Sequence, residues 1–178
     1  MTVYVALLRA INVGGKNKVP MSDLRLVFES LGLTDVKTML NSGNVIFTAN
    51  EAAVSVDKIT ATLAKTFGFD IPVFVMSREE VISAVDDAPT WWGIDDGGRH
   101  DNIVAVSAAE ANRIFVTFSK FAGPGDYIAV KGRVIYISVI PELRNKSAIL
   151  KISRTPEFGQ VTVRGANTFK KLAAKLMS

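Results

Sequence analysis

Ala108-Ala109-Glu110-Ala111-Asn112-Arg113-Ile114-Phe115-Val116-Thr117-Phe118-Ser119-Lys120-Phe121 is the stretch whose reading decides the fold of this 178-residue chain. Ile114 to Phe118 has the β-branched and aromatic content of a strand. A strand there would leave the second half of the chain unlike the first. Spacing argues for a helix: Ala111, Ile114, Phe115, Phe118 and Phe121 form one stripe at helical period, and adjacent Ile114 and Phe115 break strict alternation. Ser107 and Glu110 have capping-box spacing. The sequence therefore predicts a helix over 108–121, capped by Ser107, with Phe115 and Phe118 buried.

With that helix in place, the two halves share one order of elements. In the first half, Val3 to Leu8 reads as a buried strand. Pro20 to Leu31 reads as a helix with Leu24, Val27, Phe28 and Leu31 on one face, Pro20 in its first turn and Gly32 as its stop. Val36 to Leu40 and Val45 to Thr48 are strands around the turn Asn41-Ser42-Gly43-Asn44. Val56, Ile59, Leu63 and Phe67 stripe a second helix ended by Gly68, and Ile71 to Met76 is the closing strand. Ser77 and Glu80 repeat the capping-box spacing before a connecting helix over 78–85. A loop rich in Asp, Gly and Trp runs from Asp86 to Asn102.

The second half continues with strands at 103–106, 127–130 and 134–139, the latter two about a Lys131-Gly132 turn. A short helix follows near Ser147 to Ile152, then a strand at 160–163 and an amphipathic helix at 167–177. In that helix Phe169, Leu172, Ala173 and Leu176 face inward, and Lys170, Lys171 and Lys175 outward. The predicted class is α+β: two tandem ferredoxin-like β-α-β-β-α-β units at 1–76 and 102–178, joined by a connecting helix and loop at 77–101, with a C-terminal helix.

Composition narrows the chemistry. There is no cysteine, which removes disulfides, thiolate metal sites and cysteine nucleophiles. The apolar run Val3 to Leu8 is too short for a signal-peptide core. No stretch reaches the ~18 apolar residues of a membrane span. The expectation is a cytoplasmic protein without a membrane partner. Net charge is +4, but from Lys131 onward there are 10 Lys or Arg against 2 Asp or Glu. That basic half is either a surface for phosphate-bearing partners, with Arg144, Lys146, Arg164 and Lys171 contributing, or a solvated face.

Three constellations stand out. Arg9-Ala10-Ile11-Asn12-Val13-Gly14-Gly15-Lys16-Asn17-Lys18 joins a strand to a helix, where Arg9, Asn12, Gly14, Gly15 and Lys16 can hold an anion. It is not a P-loop, because Ala10 and Asn17 stand where Gly and Ser or Thr are required. Right-handed crossovers bring this loop beside Asn41, Ser42, Gly43 and Asn44 at one sheet edge, as an anion- or amide-binding cleft or as a hydrogen-bonded lock. Arg164, Asn167, Thr168 and Lys171 surround a helix start, as a phosphate or nucleic-acid contact or with Asn167 or Thr168 as a plain N-cap.

Trp91-Trp92-Gly93 with Arg99-His100 offers aromatic rings beside cations, for ligand stacking or for packing. His100 is the only histidine, and with Asp95, Asp96 and Asp101 nearby it is an acid–base or metal-ligating candidate, or a loop cap. No cofactor motif is present.

The stretch from Leu7 to Met21, together with Ser42-Gly43-Asn44, resembles the bacterial family called domain of unknown function 1697. Trp91-Trp92-Gly93 with Arg99-His100 is similar to one branch of it, and Arg164, Asn167-Thr168 and Lys171-Leu172 to its closing motif. The chain departs from that motif in having Gly165-Ala166 where the family commonly places Asn and an aromatic residue. The resemblance implies two ferredoxin-like units and no particular activity. Two functions are carried forward: a binding protein for a nucleotide or nucleic acid, and an enzyme acting on a small anionic substrate at Arg9, Asn12 and Lys16.

Overall fold

The computed structural model describes residues 1–94, 98–140 and 148–178. It is a mixed α+β chain with two four-stranded antiparallel sheets and six α-helices among those residues. Two compact units divide it, Met1–Val81 and Ile82–Ser178.

In the first unit β1 (Thr2–Leu8), α1 (Met21–Ser30), β2 (Thr34–Met39), β3 (Asn44–Ala49), α2 (Val56–Phe67) and β4 (Val73–Ser77) follow in order. The sheet order is β2-β3-β1-β4. Ala6, Leu8, Val45 and Phe47 pack with Leu24 and Phe28 of α1 and Ile59 and Leu63 of α2 in one core. Burial of each of the Val, Leu, Ile and Phe side chains among them is worth about 1.5–3 kcal/mol. Pro20 is the N-cap of α1, one position before the predicted first turn, and its carbonyl accepts from the Leu24 N–H at 3.0 Å. Asn44 is the first residue of β3 rather than a turn residue, since it pairs with Leu7 and Met39.

α3 (Arg78–Asp86) leaves β4 through a reciprocal cap. The Ser77 N–H donates to Glu80 Oε2 at 2.7 Å, and the Glu80 N–H donates to Ser77 Oγ at 3.1 Å. The identical spacing at Ser107 and Glu110 forms no such cap. There the Glu110 N–H donates to the Ser107 carbonyl in a turn, and α4 (Ala111–Ser119) starts four residues after Ser107. Glu110 is itself the N-cap of α4, and its Oε2 accepts from Arg113 Nε at 2.5 Å in the first turn instead of reaching back to the Ser107 N–H. Glu80→Ala is accordingly expected to cost about 1 kcal/mol in urea denaturation, and Glu110→Ala, which removes a solvent-exposed ion pair, half of that or less.

The second unit contains β5 (His100–Ala105), α4, β6 (Tyr127–Lys131), β7 (Val134–Val139), α5 (Ala148–Ile152), β8 (Thr162–Gly165) and α6 (Ala166–Met177), in sheet order β6-β7-β5-β8. The helix at 111–119 buries Ile114 and Phe118 against Val104, Ile135 and Ile137, with Phe115 half-buried beside them.

Several predicted boundaries move. His100, Asp101 and Asn102 belong to β5, because ladder pairing with Val139, Ser138 and Ile137 needs only their backbones. The β6–β7 turn is Gly132-Arg133, with Gly132 at φ +56. Gln160 ends a 3-10 turn, and β8 begins two residues later. Ser147, the predicted start of α5, lies outside the described residues; Asp126 Oδ2 accepts the Ala148 N–H at 3.0 Å and so caps that helix from afar.

Candidate functional site

Two places gather the polar residues singled out above. The first is the loop after β1. Ala10, Asn12, Gly14, Gly15 and Asn17 all have left-handed φ, between 51 and 74. Ala is rarely found there, and Asn tolerates it through local hydrogen bonds. Asn12 supplies them: Nδ2 donates to the carbonyls of Val19 at 3.0 Å and Asn41 at 3.1 Å, and Oδ1 accepts the Val19 N–H at 2.8 Å. Asn17 Nδ2 donates to the Ala10 carbonyl at 3.0 Å.

The predicted convergence of this loop with residues 41–44 is present, as a lock. Asn44, fully buried, donates to the Met39 carbonyl and to Ser42 Oγ, both at 2.9 Å. An open hollow of about 440 Å³ beside it is lined by Asn12, Gly15, Lys18 and Asn41, but not by Arg9 or Lys16. Gly14 and Lys16 are exposed, and Arg9 is half-buried.

The second place is a cleft of about 480 Å³ in the second unit. Arg99, His100, Asp101 and Asn102 form one wall, and Gly165, Ala166, Asn167 and Thr168 another, with Gly93 and Ile94 also lining it. The structure thus brings together two of the predicted constellations that are more than 60 residues apart in sequence.

α6 begins at this cleft. Its N-cap is Gly165, and no side chain among the described residues caps it. Asn167 and Thr168 are the second and third helical residues, not the N-cap, so the first-turn N–H groups carry the positive end of a 12-residue helix toward the cleft.

Arg99 is held from three sides. Nε donates to Ser138 Oγ at 2.6 Å, Nη2 to the Ser138 carbonyl at 3.1 Å and to the Gly125 carbonyl, and Cζ stands 4.3 Å from the centroid of the Tyr127 ring. Those bonds use Nε and Nη2 only. Among the described residues Nη1 makes none, which leaves donors of a fixed guanidinium in the cleft wall. Asp101 is the counterweight: Oδ2 accepts the Gly93 N–H at 2.5 Å, while Oδ1 is buried and has no hydrogen-bond partner among the described residues. Lys170 closes the rim by donating to the Gly93 carbonyl.

Other predicted residues lie elsewhere. Trp92 is 4% exposed, edge-on to Tyr136 at 5.4 Å, with Nε1 donating to the Asn102 carbonyl at 2.8 Å, so it is a packing residue and not a stacking platform. Arg164 is buried: Nη1 donates to Thr162 Oγ1 and to the Val163 carbonyl, both at 2.9 Å, and burial lowers its pKa to about 10. Its guanidinium is therefore not part of a basic surface. Lys171 is exposed on α6 but does not line the cleft. Arg144, Lys146, Asp95 and Asp96 lie outside the described residues. Among the described residues, no group of three or more His, Asp and Glu side chains could hold a metal ion.

Sequence reasoning missed Tyr127, Ser138 and Gly125 as partners of Arg99. The signal that finds them is register: Asp101, Ser138 and Tyr127 are consecutive cross-strand neighbours over β5, β7 and β6.

Comparison with known proteins adds the following. Residues 1–136 match the family model described as Protein of unknown function (DUF1697). The conserved bacterial protein SP0830 from Streptococcus pneumoniae is 28% identical, with a TM-score of 0.87 over 100% of this chain and 99% of its own. Protein BT0572 from Bacteroides thetaiotaomicron is 9% identical over 96% of each chain, and its TM-score of 0.24 carries no argument. No curated protein matches.

Proposed function

The chain belongs to the DUF1697 family of proteins of unknown function, and from the geometry of its second unit we propose that it binds a small phosphate-bearing ligand in the cleft at the start of α6. The observation that carries this reading is the shared space. The first turn of a helix and an Arg99 guanidinium, the turn uncapped by any side chain and Nη1 unspent among the described residues, line one cleft of about 480 Å³, the size of a small-molecule site. His100 stands in the same wall and adds an imidazole N–H donor. The Asp101 carboxylate disfavours an anion on its own side, so the phosphate belongs at the α6 end.

Each unit is read as ferredoxin-like and the pair as a tandem repeat, supported by the equivalent sheet orders β2-β3-β1-β4 and β6-β7-β5-β8. A cytoplasmic location is supported by the cysteine-free sequence; no helix among the described residues is long and apolar enough to cross a membrane. The alternative, an enzyme using Arg9, Asn12 and Lys16, gains nothing from the first loop, where both ends of the Asn12 amide are spent on backbone groups.

Thermal unfolding tests the binding reading. A ligand bound only by the native state must raise its stability, by about 2.7 kcal/mol at a hundredfold excess over Kd. Ribose 5-phosphate and inorganic phosphate are expected to raise Tm in proportion to the logarithm of their concentration. Asn167→Asp places a carboxylate in the first turn of α6. It should stabilise the ligand-free protein by about 0.3–1 kcal/mol through the helix dipole and abolish the phosphate-dependent rise. A rise that persists in Asn167→Asp places the anion elsewhere, and no rise in the parent chain removes the reading.

A further inference from the structure

Beside the cleft lies a run of planar groups that phosphate binding alone does not use. Arg99 lines the cleft, its guanidinium lies over Tyr127, and the Tyr127 ring contacts Trp91 with centroids 5.4 Å apart at 44°. Tyr127 is 45% exposed, Trp91 is half-buried, and Ile94 on the cleft rim is 53% exposed. Large rings and an aliphatic side chain left open to water beside a polar cleft fit a partner with a flat, apolar face. The guanidinium is immobilised by its hydrogen bonds to Ser138 and Gly125, so stacking on it costs little ordering entropy.

Resting on the phosphate reading above, we infer that the ligand is a mononucleotide, with its phosphate at the start of α6 and its base against the Arg99–Tyr127–Trp91 stack. A nucleic-acid strand is the weaker fit. Tracking a phosphate backbone takes a series of free cations. At this cleft Arg99 and Lys170 are tied to carbonyl oxygens and Arg164 is buried.

The test compares ribose 5-phosphate, adenosine 5′-monophosphate, uridine 5′-monophosphate and a 5′-phosphorylated oligonucleotide series by calorimetric titration and tryptophan fluorescence on the full chain. Both mononucleotides are expected to bind about tenfold or more tightly than ribose 5-phosphate, the worth of one base stack. They should also change the fluorescence. That change should vanish in Trp91→Phe, because Trp92 is sealed against Tyr136. Tyr127→Leu should bring the nucleotide-to-ribose-phosphate ratio toward one.

Equal affinities for ribose 5-phosphate and the nucleotides would overturn the base contact while leaving the phosphate site standing. Failure of all the compounds would overturn both. Affinity that climbs with oligonucleotide length and falls steeply with salt would replace the mononucleotide by a strand.

Discussion

Gly43→Ala is expected to destabilise the first unit by about 3 kcal/mol. Two costs coincide at this residue. Its φ is +75, a conformation that costs a residue with a Cβ about 1–2 kcal/mol. A Cβ there would also stand 2.8 Å from Ile11 Cδ1 and 2.9 Å from Leu8 Cβ, in packed surroundings that cannot yield cheaply. Leu8 and Ile11 are both essentially buried, and the Leu8 N–H donates to the Gly43 carbonyl at 2.8 Å, so the bond also holds the two segments close together.

Gly14→Ala is the matched control: φ is +58, but nothing lies within 4 Å of the added carbon, so only the conformational cost of about 1 kcal/mol applies. Urea denaturation followed by circular dichroism reads the difference. Tryptophan fluorescence provides an internal reference, because Trp91 and Trp92 both lie in the second unit. Equal losses in the two variants would show that the close approach of Ile11 and Leu8 is not what requires glycine at 43.

That comparison bears on how much the residues disclose by themselves. Local signals were legible wherever backbone and side chain of one short segment settle the matter. The stripe from Ala111 to Phe118, the left-handed stop at Gly68 and the Ser77–Glu80 cap are of this kind. The Ser107–Glu110 spacing misled because a competitor for the carboxylate, Arg113, lies on the same helix and is itself held by Gln160, 47 residues away. The convergence of the Asn12 and Asn41 segments was legible from crossover handedness, but whether the Asn12 amide faces a ligand or the Asn41 backbone was not. Hydrogen-bond direction depends on ångström-scale loop geometry that composition does not carry.

Site residues on one strand or helix terminus, such as His100 and Asn167, could be nominated from the sequence. Their meeting in one cleft, and the clamp on Arg99, depend on the register of β5 against β7 and of β7 against β6. Arg164 shows the opposite failure. A run rich in Lys and Arg suggested a basic face, yet at β8 the alternation of the strand turns that side chain inward, where Thr162 and the backbone hold it.

Between pH 10 and 12 the chain is expected to lose stability through Tyr136, and the loss should be absent from Tyr136→Phe. The phenol is fully buried, and its hydroxyl donates to the Ala84 carbonyl of α3 at 2.8 Å. Burial, with the Asp87 carboxylate adding to it, raises its pKa from 10.0 to about 12. The unfolded chain releases this proton near pH 10 and the folded chain only near 12, so in that interval the folded state binds more protons and stability falls as pH rises. At 1.36 kcal/mol per unit, the full loss is about 2–3 kcal/mol.

Arg164 acts in the other direction, because its lowered pKa makes the unfolded state the better proton binder above about 10. The parent chain alone would therefore show only the net slope, and the variant isolates the phenol. At pH 8 Tyr136→Phe should be the less stable protein by about 1–2 kcal/mol, because the buried Ala84 carbonyl loses its donor. That gap should close, and then invert, as pH approaches 12 and the parent loses what the variant never had. Urea denaturation at half-unit steps from pH 8 to 11.5, in parallel on both proteins, measures it. A gap that stays constant over that range would mean that the phenol is not held protonated by the fold, and that the contact between Tyr136 and α3 yields to water before the chain unfolds.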